Sequence, residues 1–259
     1  MTVLLSAEFL GLFALIIVVS GAVNGLAGFG FAVVGTMALA TVVDPAVAVV
    51  LMIIPMVAAN AMLVSELSAD ELHTCGRRFG PLVASALVGT IVGMIVLDAL
   101  PDQPLRIGLG LITLGFVASQ QQVVPLPPLG GDGSTLDGRP AQVAVGSVSG
   151  VLFGATNVGV QLVAYLRSRD LSHSLFVGVV ALVFLGINAI RVGAAGVLGL
   201  YPSLTVVGLS VLASVPAVGG VAVGSRLRSR VTTPVRRRVV LGLLTVIGVR
   251  LLLGGLGIA

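Results

Sequence analysis

A glycine-rich pattern of ten residues occurs twice in the chain, and its residue types suit the binding of an anion. The copies, about half a chain length apart, are Gly21-x-x-x-Gly25-x-x-Gly28-x-Gly30 and Gly150-x-x-x-Gly154-x-x-Asn157-x-Gly159. Dense glycine interrupts a helix, and interrupted backbone at membrane depth must be enclosed by protein or line a cavity. The helix that restarts after a break presents unpaired N–H groups and a positive dipole end. The pattern therefore predicts an anion site of the kind that transporters build at broken helices.

Polar side chains near these glycines could donate hydrogen bonds to a bound anion. Amide and hydroxyl groups do so without a permanent charge that would hold the anion too tightly. The predicted substrate-binding residues are therefore Asn24, Gly28, Gly30, Thr36, Thr156, Asn157, Gly159 and Gln161. Glycines spaced by four residues often serve close helix packing in membranes, and we expect this role for Gly21, Gly25, Gly150 and Gly154.

Arg191 completes the predicted set, because it and Arg250 are the arginines that fall at the depth of apolar helices. A buried arginine usually faces a cavity or pairs with an acid, and no acidic residue lies in the neighbouring apolar runs. An anion is a suitable partner for Arg191. The alternative is that either side chain extends to the outer membrane interface. Asn60 and Asn188 are expected to form hydrogen bonds between helices, with a place along the transport path as the alternative for either.

The composition places the chain in a lipid bilayer. Hydrophobic residues make up 57%, charged residues 9%, and the mean hydropathy is +1.16, which a soluble domain could not keep off its surface. One cysteine and two histidines provide neither an internal disulfide nor a structural zinc site. Without lysine there is no phosphate-binding loop of a nucleotide-driven pump. We predict no enzyme, no catalytic or metal site and no cofactor, and the arginines require no nucleic acid partner.

Uncharged runs divide the chain into two similar halves, residues 1–122 and 141–259, joined by a linker at 123–140 that is rich in Pro, Gly and Asp. A straight crossing needs about 20 apolar residues. Single helices are predicted over uncharged runs at 44–66, 78–98, 107–122, 174–190, 203–225 and from 239 to the C-terminus. Pro104 and Pro234 are predicted to lie in the first turn of the last helix of each half, where the missing N–H is harmless. The two glycine-bearing runs are too short for two full crossings each. Each is two partial helices, forming either a re-entrant hairpin or one broken crossing.

The arginines predict how the halves lie in the membrane. A cluster between residues 226 and 238 places that loop in the cytoplasm by the positive-inside rule, whereas the corresponding loop of the first half carries Asp98 and Asp102. Equivalent loops then face opposite sides, which favours the re-entrant hairpin. The predicted fold is an all-α polytopic membrane protein of two inverted-topology repeats. Each repeat is a glycine-broken helical hairpin plus three transmembrane helices, with both termini outside and a cytoplasmic linker.

These motifs resemble the TauE/SafE family, the sulfite and organosulfonate exporters of bacterial membranes. The family's opening motif runs like Gly-x-x-Gly-x-Gly-Gly-Gly; the residues from Gly25 read Gly-Leu-Ala-Gly-Phe-Gly-Phe-Ala and those from Gly154 read Gly-Ala-Thr-Asn-Val-Gly-Val-Gln. The two similar halves and the polar linker also match. The resemblance implies a multi-pass protein of the bacterial cytoplasmic membrane that exports small anions such as sulfite or sulfoacetate-like organosulfonates. It implies no cofactor or nucleotide. The oligomeric state is left open, with a homodimer as one option.

Two functions other than transport are possible for such a membrane protein. A structural or assembly membrane protein would use the glycines for packing alone, and it would differ from a transporter in not lining a common polar cavity with both breaks. An intramembrane enzyme would need paired carboxylates, a metal set or a nucleophile with its base at membrane depth, and the sequence has none of these. The substrate, direction and coupling of transport are not determined by the sequence.

Overall fold

The computed structural model describes residues 6–120, 138–157, 159–167 and 173–258. Within these ranges the regular structure is helical, without strands. In chain order the helices are α1 (Ala7–Ala27), α2 (Phe31–Leu39), α3 (Pro45–Leu51), α4 (Ile53–Val64), α5 (Ala69–Ala99), α6 (Asp102–Gln120), α7 (Arg139–Thr156), α8 (Val160–Arg167), α9 (His173–Val197), α10 (Leu204–Leu212), α11 (Ser214–Leu227) and α12 (Thr233–Gly255). Most of the predicted linker lies outside the described residues, and α7 begins inside its last two positions.

The helices have the length and apolar character that a membrane requires. Among the described residues, five stretches could each cross a bilayer: Ala7–Ala27, Pro45–Val64, Arg78–Ala99, Phe176–Val197 and Leu204–Leu227. Large aliphatic side chains project outward, including Val88 at 66% exposure and Leu204 at 88%. This surface suits contact with lipid chains rather than water. The predicted class of an all-helical membrane protein is therefore confirmed.

Two of the predicted straight helices are divided into two segments. The helix predicted at 44–66 consists of α3 and α4, which meet at Met52, and the helix predicted at 203–225 consists of α10 and α11, which meet at Ala213. In both, a proline follows the joint by three residues, Pro55 in α4 and Pro216 in α11. Proline lacks the N–H that would bond the carbonyl four residues earlier, so it weakens the helix at that point.

The carbonyl freed by Pro55 finds a partner in another helix. Four residues before Pro55 is Leu51, and its carbonyl oxygen accepts a hydrogen bond of 2.8 Å from the hydroxyl of Ser210, a fully buried residue of α10. An unpaired carbonyl in this apolar interior would be unfavourable. The bond therefore stabilises the division of α3–α4 and ties it to α10.

Several helix ends differ from the predicted bounds. The helix predicted from 78 begins at Ala69 as α5, so residues 69–77 are helical rather than a loop. The helix predicted to end at 190 continues to Val197 as α9. The last helix begins at Thr233, before the uncharged run at 239, and the prediction that Pro234 lies in its first turn is confirmed. The prediction used charged residues as helix ends, but a helix can continue through charged positions where it leaves the bilayer.

Glycines form the closest helix crossings. α1 packs against α11, and α5 packs against α7. A Cβ atom at Gly21 would lie 2.6 Å from the carbonyl oxygen of Ala217. Such an approach leaves no room for a larger side chain. The predicted packing role is confirmed, because a Cβ atom would also overlap the backbone of the facing helix at Gly25, Gly150 and Gly154.

α9 carries two of the fully buried polar residues of the described chain. It packs against α4, α5 and α8. Asn188 and Arg191 on α9 have no exposed surface. Because they are three residues apart, their side chains lie on the same face of the helix.

Candidate functional site

Both glycine-rich patterns lie where one helix ends and the next begins. α1 is followed by Gly28 and Gly30, whose φ angles are 79° and 109°. α7 is followed by Asn157, with φ of 60°, and no other non-glycine residue of the described chain has positive φ. Asparagine is one of the few residues that adopt this left-handed conformation readily. It therefore takes the backbone role in the second pattern that Gly28 takes in the first, and it adds an amide side chain.

The amide of Asn157 joins three other parts of the fold. Its Nδ2 donates hydrogen bonds to the hydroxyl of Thr36 on α2, at 2.8 Å, and to the carbonyl oxygen of Val49 on α3, at 2.9 Å. Its Oδ1 accepts a hydrogen bond from Arg191 on α9. Asn157 is fully buried. Thr36, Asn157 and Arg191, three residues predicted for the site, therefore form one connected group.

Arg191 is fully buried, and the groups around it are neutral. Besides the bond to Asn157, its guanidinium donates to Oδ1 of Asn188 and to the carbonyl oxygen of Gly154, both at 3.2 Å. The guanidinium carbon also lies 5.1 Å from the ring centre of Phe153. None of these described partners is a carboxylate. A buried cation without a counter-charge is costly, so the arrangement holds a positive charge that an anion would compensate.

The position of Arg191 excludes the interfacial alternative for this residue. Its exposure is 0%, and α9 continues for six residues beyond it to Val197. By contrast, Arg250 on α12 is exposed. The two arginines that the sequence grouped together are thus in different environments, because one faces the bundle interior and the other faces outward.

The break in the first half has its own unpaired polar group. Asn24, in the last turns of α1, is 2% exposed, and its Nδ2 has no hydrogen-bond partner within the described residues. Its backbone carbonyl accepts the N–H of Gly28 at 2.7 Å. Gly28 lies against Val177 near the start of α9, where a Cβ atom would be only 3.0 Å from the Val177 Cβ.

The two breaks contact neighbouring parts of α9. The first contacts this helix at Val177, and the second contacts it at Phe184, which lies against Gly159. The second break also reaches Arg191 through the side chain of Asn157. Seven residues separate Val177 from Phe184 in the sequence, which corresponds to about 10 Å along a helix at 1.5 Å per residue. That both breaks face one shared anion site stays a prediction.

The remaining predicted residues contribute less to these contacts. The Thr156 hydroxyl bonds back to the carbonyl of Leu152 in its own helix. A Cβ atom at Gly159 would lie 2.5 Å from the ring of Phe184, so this glycine permits close packing. The side chain of Gln161 lies outside the described part of the structure.

Sequence reasoning favoured helix contacts for Asn188, with a place along the path as the alternative, and overlooked Phe153 as a site residue. Asn188 does bond within its helix, since its Nδ2 donates to the Phe184 carbonyl at 2.8 Å, but its Oδ1 binds Arg191. The spacing of three residues from Arg191 was the signal that could have identified it. Phe153 stacks on Phe184 with ring centres 5.0 Å apart, and nothing in its sequence context points to a contact with arginine.

Comparisons with known proteins agree with this membrane setting. The family model described as "Sulfite exporter TauE/SafE" matches residues 13–251. Neither a curated protein nor a solved structure matches the chain. In the described residues, no three His, Cys, Asp or Glu side chains lie together in a way that could hold a metal ion.

Proposed function

Because the chain belongs to the sulfite exporter TauE/SafE family, we propose that it exports small oxyanions, such as sulfite or sulfoacetate-like organosulfonates, across the bacterial cytoplasmic membrane. The observation that carries this proposal is Arg191, a fully buried cation whose described polar partners are neutral. An oxyanion would supply the missing negative charge. Guanidinium groups bind such anions well, because their N–H donors match pairs of oxygen atoms.

The proposed binding residues come from both breaks. The first break contributes Asn24, Gly28 and Gly30, where the Nδ2 of Asn24, unpaired within the described residues, and the start of α2 offer donors to an anion. Arg191 and Asn157 are the central residues at the second break, and the sequence prediction adds Thr36, Thr156, Gly159 and Gln161. Thr36 connects the two breaks, since it belongs to the helix that starts at the first break and bonds to Asn157 at the second.

The two halves are inverted repeats, and helices of one half pack against helices of the other. The pattern of helix contacts supports this arrangement: α1 of the first half packs on α11 of the second, and α7 of the second packs on α5 of the first. α1 and α7 hold equivalent places in the two halves, as do α5 and the α10–α11 pair. α4 with α9 and α6 with α12 pair equivalent helices with each other. A two-fold relation between the halves accounts for all four contacts.

Export needs no coupling ion in this scheme. In a cell with a negative interior, an anion moves outward favourably by about 2.3 kcal/mol per charge for each 100 mV. The alternative of a purely structural membrane protein accounts for the glycine crossings, but it gives no reason for a buried arginine among neutral groups. Apolar or hydroxyl side chains can hold membrane helices together with a smaller desolvation cost than a buried arginine.

Counterflow in proteoliposomes tests the proposal, with sulfite, sulfoacetate, thiosulfate and oxalate as probes. Arg191→Met keeps most of the side-chain length and removes the charge. We expect it to lower flux roughly ten- to a hundredfold, because losing a hydrogen bond to a charged group costs about 1.5–3 kcal/mol of binding free energy. Arg191→Lys should retain part of the flux, since the charge remains but the planar set of donors is lost.

Arg250→Met is the matched control, because Arg250 is an exposed arginine on α12. We expect it to leave the flux per folded protein unchanged. Normal flux in Arg191→Met, with a protein that elutes as a single species in detergent, would remove Arg191 from the mechanism. Absence of flux for every probe in the unmodified protein would contradict anion transport itself.

A further inference from the structure

Tyr201 carries a buried hydroxyl group that its protein surroundings leave unpaired. The residue lies at 198–203, the connection between α9 and α10. The side chain is partly buried, its Oη has no accessible surface, and the described residues provide no hydrogen-bond partner for it. A hydroxyl withdrawn from water without a partner costs about 1–3 kcal/mol. A ligand that accepts a hydrogen bond from this hydroxyl would remove the cost.

The Tyr201 ring packs next to the part of α9 that holds Arg191. Its neighbours in a small hydrophobic cluster include Val192 and Ala195 of α9. Ala195 is four residues after Arg191, so it lies on the same face of the helix, one turn away. Burial raises the pKa of the Tyr201 phenol, and the positive charge of Arg191 offsets part of this rise.

Arg191 has an unpaired donor of its own. While its two terminal nitrogens bond to Asn157, Asn188 and Gly154, its Nε is buried and has no partner in the described chain. The Nε–H and the Tyr201 O–H do not bond each other. Two buried donors therefore have no partner in the described chain, and one of them belongs to a cation whose described partners are neutral.

We propose that Tyr201 Oη and Arg191 Nε form a two-donor subsite that binds one oxyanion at the α9–α10 end of the path. This inference rests on the proposed function and names a further binding residue for it. An anion with two or more oxygen atoms can accept from both donors at once and also meets the charge of Arg191. A halide can accept from both donors only where they point at one atom, whereas an oxyanion can present a separate oxygen to each. We therefore expect the subsite to favour oxyanions over halides.

The transport test compares Tyr201→Phe with Tyr165→Phe, the corresponding change at the other of the two tyrosines in the chain. Phenylalanine keeps the ring and removes only the hydroxyl. We expect Tyr201→Phe to raise the KM for sulfite roughly tenfold or more, the value of a hydrogen bond to a charged group, with a smaller effect on the maximal rate. Tyr165→Phe should keep the KM of the unmodified protein.

A binding test uses the absence of tryptophan from the chain. In the Tyr165→Phe protein, Tyr201 is the sole tyrosine, and its fluorescence reports on its own surroundings. We expect sulfite to change this fluorescence in a saturable manner, and chloride to have little effect. The change should vanish in Tyr165→Phe/Arg191→Met. Free tyrosine amide corrects for direct quenching by sulfite.

The outcomes separate this inference from the proposed function. If Arg191→Met abolishes flux while Tyr201→Phe keeps the KM of the unmodified protein and sulfite leaves the Tyr201 fluorescence unchanged, the subsite is wrong and the transporter proposal stands. If Tyr201→Phe lowers thermal stability without changing KM, the hydroxyl binds a structural water and the subsite is again wrong. If Arg191→Met transports normally, the proposed function itself fails.

Discussion

Arg191 on α9 donates a hydrogen bond to Oδ1 of Asn157, the residue that ends α7 in a left-handed conformation. The same amide donates through Nδ2 to α2 and α3. A single side chain therefore orients the buried cation and links it to helices from both halves. Because glycine at this position would supply the backbone conformation but not the bonds, the amide accounts for asparagine where the first pattern has Gly28.

Substitutions of Asn157 distinguish the effect of the Arg191 charge from the effect of the bonds that orient it. Asn157→Asp places a carboxylate beside the guanidinium and forms a buried ion pair. We expect the protein to remain folded while sulfite counterflow falls roughly tenfold or more, because the anion must displace an internal counter-ion. Asn157→Gly, which keeps the backbone conformation, should instead lower stability by about 2–5 kcal/mol through lost buried hydrogen bonds. Normal flux in Asn157→Asp would show that the anion does not meet the Arg191 charge.

The bond between Ser210 and the Leu51 carbonyl predicts a coupling with Pro55. Ser210→Ala should cost about 1–3 kcal/mol, since it leaves that carbonyl unpaired in an apolar interior. In a Pro55→Ala background, residue 55 regains an N–H that can bond Leu51, so the same change should cost less. Thermal unfolding in detergent measures both effects, with the partly exposed Ser214→Ala as control. An equal cost in both backgrounds would contradict this account of the divided helix.

Two adjacent glycines of α11 provide a matched test of the α1–α11 crossing. A Cβ atom at Gly220 would be 3.1 Å from the Cα of Gly21 and would overlap the Val18 carbonyl, whereas a Cβ atom at Gly219 meets no described atom within 4 Å. We expect Gly220→Ala to destabilise by about 1–3 kcal/mol through overpacking. Gly219→Ala should be neutral or slightly stabilising, since alanine favours helix. Similar unfolding temperatures for the two variants would argue against a close crossing.

The orientation of the halves can be tested with reporter fusions after residues 101, 135 and 232. The arginine distribution predicts that position 101 lies outside and that positions 135 and 232 lie in the cytoplasm. Opposite locations for 101 and 232, which follow equivalent parts of the two halves, are the signature of inverted topology. An external location for residue 232 would contradict the inverted repeat.

The proximity of Arg191 and Tyr201 predicts a change in pKa. Burial disfavours the charged phenolate and raises the pKa of Tyr201 above its ordinary value of 10.0, while the Arg191 charge opposes this. In the Tyr165→Phe background, Arg191→Met should therefore raise the pKa further, as measured by tyrosinate absorbance. The associated stability is present below about pH 10 and is lost as pH rises through the folded pKa. An unchanged pKa would mean that the two side chains are too far apart to share an anion.

Sequence reasoning reached Thr36, Asn157 and Arg191 separately, through polarity, pattern and depth. It could not reach their contact, because Thr36 and Asn157 are far apart in the chain and bond only when α2 lies against the end of α7. The partners of the guanidinium were equally out of reach. Two of them are oxygens of Asn157 and Gly154, at the end of α7, which only the tertiary structure brings within reach of the Arg191 side chain.

The sequence by itself determined the membrane setting, the helical class and the helix breaks at the two glycine-rich patterns, but not the divisions at Met52 and Ala213. The properties that it determined depend on composition and on the local conformations of glycine and asparagine, which hold wherever the segment lies. Only the tertiary structure decided that Arg191 rather than Arg250 is buried, which groups surround its guanidinium, and that Tyr201 lies near it. Those facts depend on how the helices pack, and packing sets the burial and the partners of each polar group.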